Sequence, residues 1–263
     1  MILPLDTFLY SLITGVFVGL AAGYLGSLMV LERMSLVGDA LSHVALPGLA
    51  LGYVYNFSPF VGAFAFLFIS AIIIWQLRRT TKLPFETIVG ALFTLALAIG
   101  IMIIPELEML EALFGNIAAV TGIYAVAAII CSIAAILITR VIYKKLVLGM
   151  ISEDIAVSKG VNVGRINLVF LLLVSLIVAV GIQITGTLLV GFLVIVPAAA
   201  AKNTSNNLNK YAVLSAIFGL ISTIAGIIIA STLNMETLYV GPLIVFSGIA
   251  IFIITVLIKS QQH

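Results

Sequence analysis

The stretch Asn167-Leu168-Val169-Phe170-Leu171-Leu172-Leu173-Val174-Ser175-Leu176-Ile177-Val178-Ala179-Val180-Gly181-Ile182-Gln183-Ile184-Thr185-Gly186-Thr187-Leu188-Leu189-Val190-Gly191-Phe192-Leu193-Val194-Ile195-Val196-Pro197-Ala198-Ala199-Ala200-Ala201 decides how many times this chain can cross a membrane. No charged residue interrupts it. It reads as two short spans, 167–185 and 187–201, broken within Gly181–Gly186, or as a partly re-entrant hairpin. Both readings return the chain to the side it came from. Working outward, equally apolar runs lie at 8–31, 36–55, 58–77, 87–104, 121–142, 211–232 and 239–258. A spanning helix needs about 20 apolar residues, and Gly, Pro and charge mark the joints between these runs. Spanning barrel strands would be shorter and would alternate in polarity. The expectation is therefore an all-α polytopic membrane protein with about nine transmembrane helices, or eight if 167–201 is partly re-entrant.

Composition supports this reading. Of 263 residues, 63% are hydrophobic and 8% charged, and the mean hydropathy is +1.34. A soluble domain carries about 25% charged residues. A chain this poor in charge cannot clothe a water-facing surface, which excludes a soluble enzyme or binding module. Nine spans take roughly 180 residues. The remaining ~80 make the ends and connections at ~10 residues each, an ordinary loop length. A single transmembrane domain over 1–263 is expected, with a short inner segment at about 149–166 and no extramembrane domain.

The basic residues give the orientation. Arg33, Arg78, Arg79, Lys82, Arg140, Lys144, Lys145, Lys159, Arg165, Lys202, Lys210 and Lys259 all fall on one side of the nine-span arrangement. The opposite loops hold Asp6, Glu106, Glu108, Glu111 and Glu236 and no base. Positive loops stay cytoplasmic, so the N-terminus is expected outside and the C-terminus inside. The first apolar run lacks the basic leader of a cleaved signal peptide and reads as a retained span. Cys131 lies alone in an apolar run, which excludes a disulfide frame and a thiolate metal cage. The histidines are His43 and the terminal His263, which reads as inert.

Asp39 is the exception to charges lying at span ends. It sits early in the second run, four residues before His43. On a helix, positions i and i+4 share a face, so a carboxylate and an imidazole point the same way. Both ligate divalent Zn, Mn and Fe. Pro47 lacks an N–H, so the His43 carbonyl loses its helical partner, and Gly48 follows. A freed carbonyl at membrane depth must face protein or a wet cavity. Ionisable side chains at that depth carry function by default, although a simple Asp39–His43 bond is the bland alternative.

Two further segments stand out. Between Tyr143 and Arg165, Ser152 is placed to cap a short helix with Glu153 and Asp154 in its first turn. Ile155 and Ala156 give it an apolar face, and Gly160 stops it. Such a helix docks a cytoplasmic partner or frays in solvent. On the outer side, Glu106, Glu108 and Glu111 have no local base. They attract cations, meet an extracytoplasmic partner, or form a solvated face. No Gly-Lys dipeptide occurs, so a Walker phosphate loop is absent, as are a serine elbow and a His-Glu-x-x-His pattern.

The run Leu31-Glu32-Arg33-Met34-Ser35-Leu36-Val37-Gly38-Asp39-Ala40-Leu41-Ser42-His43 resembles the signature of the ABC-type manganese/zinc/iron permeases. Ser152-Glu153-Asp154-Ile155-Ala156 to Gly160-Val161-Asn162 is similar to their ATPase-coupling segment, and Gly186 to Ala200 resembles a third block. The resemblance covers essentially the whole chain. It implies a homodimeric permease of a prokaryotic cell membrane, driven by separate cytoplasmic ATPase subunits and supplied by an extracytoplasmic metal-binding protein. It implies that Asp39 and His43 match the metal-pathway residues, that 152–164 enters the ATPase, and that 186–200 lines the path less specifically. The metal is cargo, ATP binds only the partner subunit, and no permanent cofactor is expected. Membrane lipid is the other partner, and nucleic acid is not expected. A proton-coupled secondary metal transporter is the alternative, since histidine titrates near neutral pH. Such a carrier usually needs a second intramembrane ligand set, which the sequence does not offer. An intramembrane enzyme using the pair as acid and base lacks a nucleophile motif, and a membrane scaffold would leave the pair merely structural.

Overall fold

The computed structural model describes residues 5–261, so His263 lies outside the described residues. Those residues form helices and turns with no strand. In chain order the helices are α1 (Leu5–Leu31), α2 (Ser35–Val44), α3 (Leu46–Val54), α4 (Pro59–Thr80), α5 (Phe85–Ile103), α6 (Glu106–Phe114), α7 (Gly122–Ile151), α8 (Glu153–Ser158), α9 (Val163–Thr204), α10 (Leu208–Thr232) and α11 (Val240–Ser260). Among the described residues, 8 helical segments are long and apolar enough to cross a membrane, with α2 and α3 together supplying one over Val37–Val54.

The charge-free stretch lies in α9. As one rod its 42 residues would run about 63 Å, twice the hydrocarbon thickness. It is not one rod. Gly186 leaves the helical region with φ 72 and ψ 175. A Cβ placed on Gly181 would lie 2.5 Å from Cγ2 of Val190, whereas nine helical steps would separate them by about 13.5 Å. Residues 163–185 and 187–204 are therefore two limbs folded against each other, matching the two expected segments, each extended at its far end. Gly186 is required twice over: its φ is positive, and a Cβ would run into the Leu113 carbonyl. The tip is tied down by the Asn116 N–H donating to the Gln183 carbonyl at 3.1 Å and the Thr187 hydroxyl donating to the Ala112 carbonyl at 3.0 Å.

The core forms around α9 and α1, with Phe170, Leu171, Ile177, Leu25 and Leu28 fully buried. The most apolar window of α9 is 72% buried against 22% for α5 and α11, so the latter two present their flanks outward from the protomer. The glycines of α1 pack within the chain: Gly19 meets the Gly219 carbonyl and Gly23 the Ser215 carbonyl of α10. Small residues let the two backbones approach closely.

One boundary moves, and two further features are set by the fold. Tyr143 to Met150, read as loop, forms the last turns of α7, because Leu146 is buried while Lys144 and Lys145 are exposed. The segment after the fourth span is the helix α6, whose first turn carries Glu106 and Glu108, a favourable place for negative charge. Cys131 is half-buried.

Candidate functional site

α2 carries the charged pair, and its regular helix over Ser35–Val44 puts Asp39 and His43 on one face. The Ser42 hydroxyl donates to the Asp39 carbonyl at 2.6 Å. His43 is 9% exposed, and among the described residues its Nδ1 is buried without a hydrogen-bond partner. Its ring meets Phe93 of α5 edge-on, with centroids 5.3 Å apart and planes at 65°. A ring held on one side by an aromatic and carrying an unsatisfied nitrogen is suited to donate a lone pair. Asp39 is exposed on the protomer surface. The second limb of α9 abuts its backbone: a Cβ on Gly191 would fall 2.7 Å from the Asp39 Cα.

The helix break lies next to the pair. α2 ends at Val44 and α3 begins at Leu46, with Ala45 between them. Pro47 occupies the first turn of α3, where a missing N–H is harmless; the His43 carbonyl, expected to be left free, instead accepts from a backbone N–H of the turn that ends α2. Gly48 has a second role, because a Cβ there would strike the Gly62 carbonyl. It brings α3 against α4 as well as following the break.

A cavity of about 400 Å³ opens beside Asp39, lined by Arg33, Met34, Asp39, Glu86, Val89 and Phe93 among others; His43 lies behind Phe93 and does not line it. Among the described residues no three His, Cys, Asp or Glu side chains gather in metal-holding geometry. Asp39 and His43 thus have, among these residues, no third side chain of these types gathered with them. Gly191 falls within the 186–200 block that the sequence singled out, whereas Phe93 and Glu86 did not stand out, since their proximity to Asp39 and His43 arises only from packing between helices.

The inner segment folds as its residues direct. Ser152 caps α8, its hydroxyl accepting from the Ile155 N–H at 3.3 Å. Glu153 and Asp154 fill the first turn. Ala156 is buried, while Ile155 and Val157 are 48% and 58% exposed. Gly160 ends the helix at φ 74, with the Gly160 N–H donating to the Val157 carbonyl and the Val161 N–H to the Ala156 carbonyl. Asn162 then caps α9. A groove of about 460 Å³ runs beside α8, lined by Arg79, Glu153, Val157 and Gly160 to Gly164. On the opposite side the three carboxylates of α6 diverge. Glu106 is exposed and Glu108 half-buried, while Glu111 turns toward a cavity of about 630 Å³ shared with Tyr53, Asn116, Gln183 and Tyr124.

With this arrangement in place, residues 5–259 match the model of the ABC 3 transport family. The chain belongs to the ABC 3 transport family. It is 32% identical over 256 residues to the manganese transport system membrane protein MntC of Listeria monocytogenes, covering 96% of this chain and 90% of that protein. It is 33% identical over 259 residues to the high-affinity zinc uptake system membrane protein ZnuB of Buchnera aphidicola, covering 96% and 98%. The structure of PsaBC from Streptococcus pneumoniae in complex with Fab superposes with a TM-score of 0.81 at 31% identity, covering 94% of this chain and 90% of that one. As a member of the ABC 3 family with its apolar helices, the chain is a multi-pass ABC-transport permease of a prokaryotic plasma membrane.

Proposed function

We propose that this chain is the membrane-spanning subunit of an ATP-driven importer for a divalent transition metal (manganese, zinc or iron), and that Asp39 and His43 form its transit site. The observation that carries the site is the buried imidazole with an unpartnered Nδ1, one turn from a carboxylate left exposed on the protomer surface. A carboxylate at membrane depth does not face lipid. A second copy of the chain covers it and brings two Asp39–His43 pairs to a shared axis. Four oxygen and nitrogen donors then replace the water of one ion for the duration of transit, and weak multi-site binding lets it leave. Relatives named for manganese and zinc support the cargo class.

The two limbs of α9 count as two crossings. With them the chain crosses nine times, N-terminus outside and C-terminus inside, which puts α6 outside and α8 inside. α8 and the groove beside it receive a separate ATPase, and an extracytoplasmic metal-binding protein delivers the ion near Glu106, Glu108 and Glu111. Pro47 and Gly48 keep the helix broken beside the path.

The test is uptake of one metal at a time in a deletion strain carrying wild type, Asp39→Ala or His43→Ala. Loss of at least about tenfold in initial rate is expected for each variant, since losing even an outer hydrogen-bond partner of a metal ligand costs about that much. Wild-type rates at normal membrane levels of the variants would remove the pair from the pathway.

A further inference from the structure

The junction between α1 and α2 holds an arrangement that neither the transit site nor the inner docking segment uses. Glu32 follows the last residue of α1, and its Oε1 lies 4.0 Å from Nη1 of Arg78 on α4, with the side chains 13% and 39% exposed respectively. Among the described residues the second carboxylate oxygen is buried with no hydrogen-bond partner. Burial raises the Glu32 pKa above the ordinary carboxylate range, and Arg78 opposes the rise. A partly exposed ion pair contributes little to stability, and a buried carboxylate satisfied on one side only is a cost. Static stabilisation therefore does not account for this pair.

Its position does. Arg78 also lies over the Phe85 ring at the start of α5, 4.8 Å from the centroid. Arg79, the next residue, lies over Trp75 at the same 4.8 Å. The Trp75 indole N–H donates to the Gly164 carbonyl at 2.7 Å, tying α4 to the end of the docking segment. One cavity of about 270 Å³ is lined by Trp75, Arg78, Arg79, Glu153 and Gly164, so Arg78 and the first residue of α8 face the same space. On the other side, Glu32 is separated from α2 only by Arg33 and Met34. Arg33 has φ 60, a conformation that is strained for a non-glycine residue and that gathers at switch regions.

We propose that the Glu32–Arg78 ion pair is the strut through which movement of the docking segment reaches the helix that carries Asp39 and His43. The route is contiguous: Glu153 and Gly164, Trp75 with Arg79, Arg78, Glu32, the Arg33 turn, then α2. Glu32 and Arg78 act as positioning residues and touch no cargo. The unpartnered Glu32 oxygen gives the carboxylate a bond still to be made, so a shift of α4 changes the pair and turns α2 about the Arg33 junction. This rests on the reading of the chain as an ATP-driven metal permease.

The test uses the complete complex, permease with its ATPase and metal-binding protein, reconstituted in proteoliposomes. Metal taken up per ATP hydrolysed is measured for wild type, Glu32→Gln, Arg78→Gln and the exchanged pair Glu32→Arg/Arg78→Glu. The ATPase should still co-purify and hydrolyse ATP within about twofold of wild type. Uptake per ATP should fall roughly three- to thirtyfold in the single variants, the range seen for residues on coupling routes. The exchanged pair should recover part of the loss. An unchanged ratio in the isosteric Glu32→Gln overturns the strut, and so does a parallel fall of hydrolysis and uptake, which marks a merely structural loss. Wild-type complex that hydrolyses ATP without moving metal defeats the permease reading itself, a separate outcome visible in the wild-type arm.

Discussion

Arg33 takes the left-handed backbone position that ends α1. Its N–H donates to the Val30 carbonyl and the Met34 N–H to the Met29 carbonyl, the bonding pattern of a helix closed by a left-handed residue. Gly160 closes α8 in the same way, and Asn234 closes α10. Glycine and asparagine announce such turns in a sequence; arginine does not, so the joint between residues 31 and 36 was visible there but its left-handed conformation was not. The Asp39–His43 pair was legible for the opposite reason, because four-residue spacing is a local property of any helix. That Nδ1 would stay unpartnered was not, since it depends on Phe93, fifty positions away. Glu32 allows a prediction at this scale. Its folded-state pKa is raised, so the folded chain binds that proton more tightly than the unfolded chain. The resulting stabilisation is fully present below the ordinary carboxylate pKa and is lost as pH rises through the folded value. Glu32→Gln removes the ionisation. Its melting temperature should match wild type at acid pH and exceed it at pH 8. A lower melting temperature than wild type at pH 8 would show that pairing with Arg78 outweighs burial.

The α9 hairpin is where sequence and fold agree at the element scale. Hydropathy and the glycine-containing break already implied that the chain reverses within this run. They could not show what receives the tip. Here the turn between α6 and the following 3-10 helix receives it: Gly115, at φ 81, packs backbone to backbone on Gly186. α8 was readable to the residue, since Ser152, the acidic first turn and Gly160 are all local signals. α6 was half readable; its carboxylates were visible, but only the fold separates the cavity-facing Glu111 from the exposed Glu106. Gly186→Ala should therefore be costly. It combines a left-handed φ with a Cβ aimed at the Leu113 carbonyl, and about 2–4 kcal/mol of destabilisation is expected. Gly90→Ala is the control, because a Cβ there meets nothing within 4 Å, and it should be neutral or mildly stabilising by up to ~1 kcal/mol. Thermal unfolding of the purified permease reads both. Equal behaviour of the two variants would mean the tip is loose enough to absorb a methyl group.

At the scale of the molecule, the scarcity of charge and the placement of what remains constrain the arrangement in the membrane. Every basic residue falls on one side only if α9 returns to the side it came from; a single crossing would put Lys202, Lys210 and Lys259 together on the side opposite Arg165. The packing agrees with a reversal: Trp75 near the end of α4 bonds Gly164 at the start of α9, and the Asn203 amide at its far end donates to Thr255 near the end of α11. The two ends of α9 thus sit beside the C-terminal ends of helices that run the same way in the nine-crossing arrangement. Cysteine labelling decides it. In a Cys131→Ala background, single cysteines replace Leu107, Val157 and Leu208, which are 93%, 58% and 42% exposed, in cells lacking the ATPase so that α8 is uncovered. A membrane-impermeant maleimide should label position 107 in intact cells and leave 157 and 208 unlabelled until the membrane is opened. Positions 157 and 208 flank α9, so two crossings put them on one side and one crossing puts them on opposite sides. Labelling of 208 but not 157 in intact cells would overturn the hairpin as a double crossing, and with it the placement of the docking segment and the C-terminus on the same face.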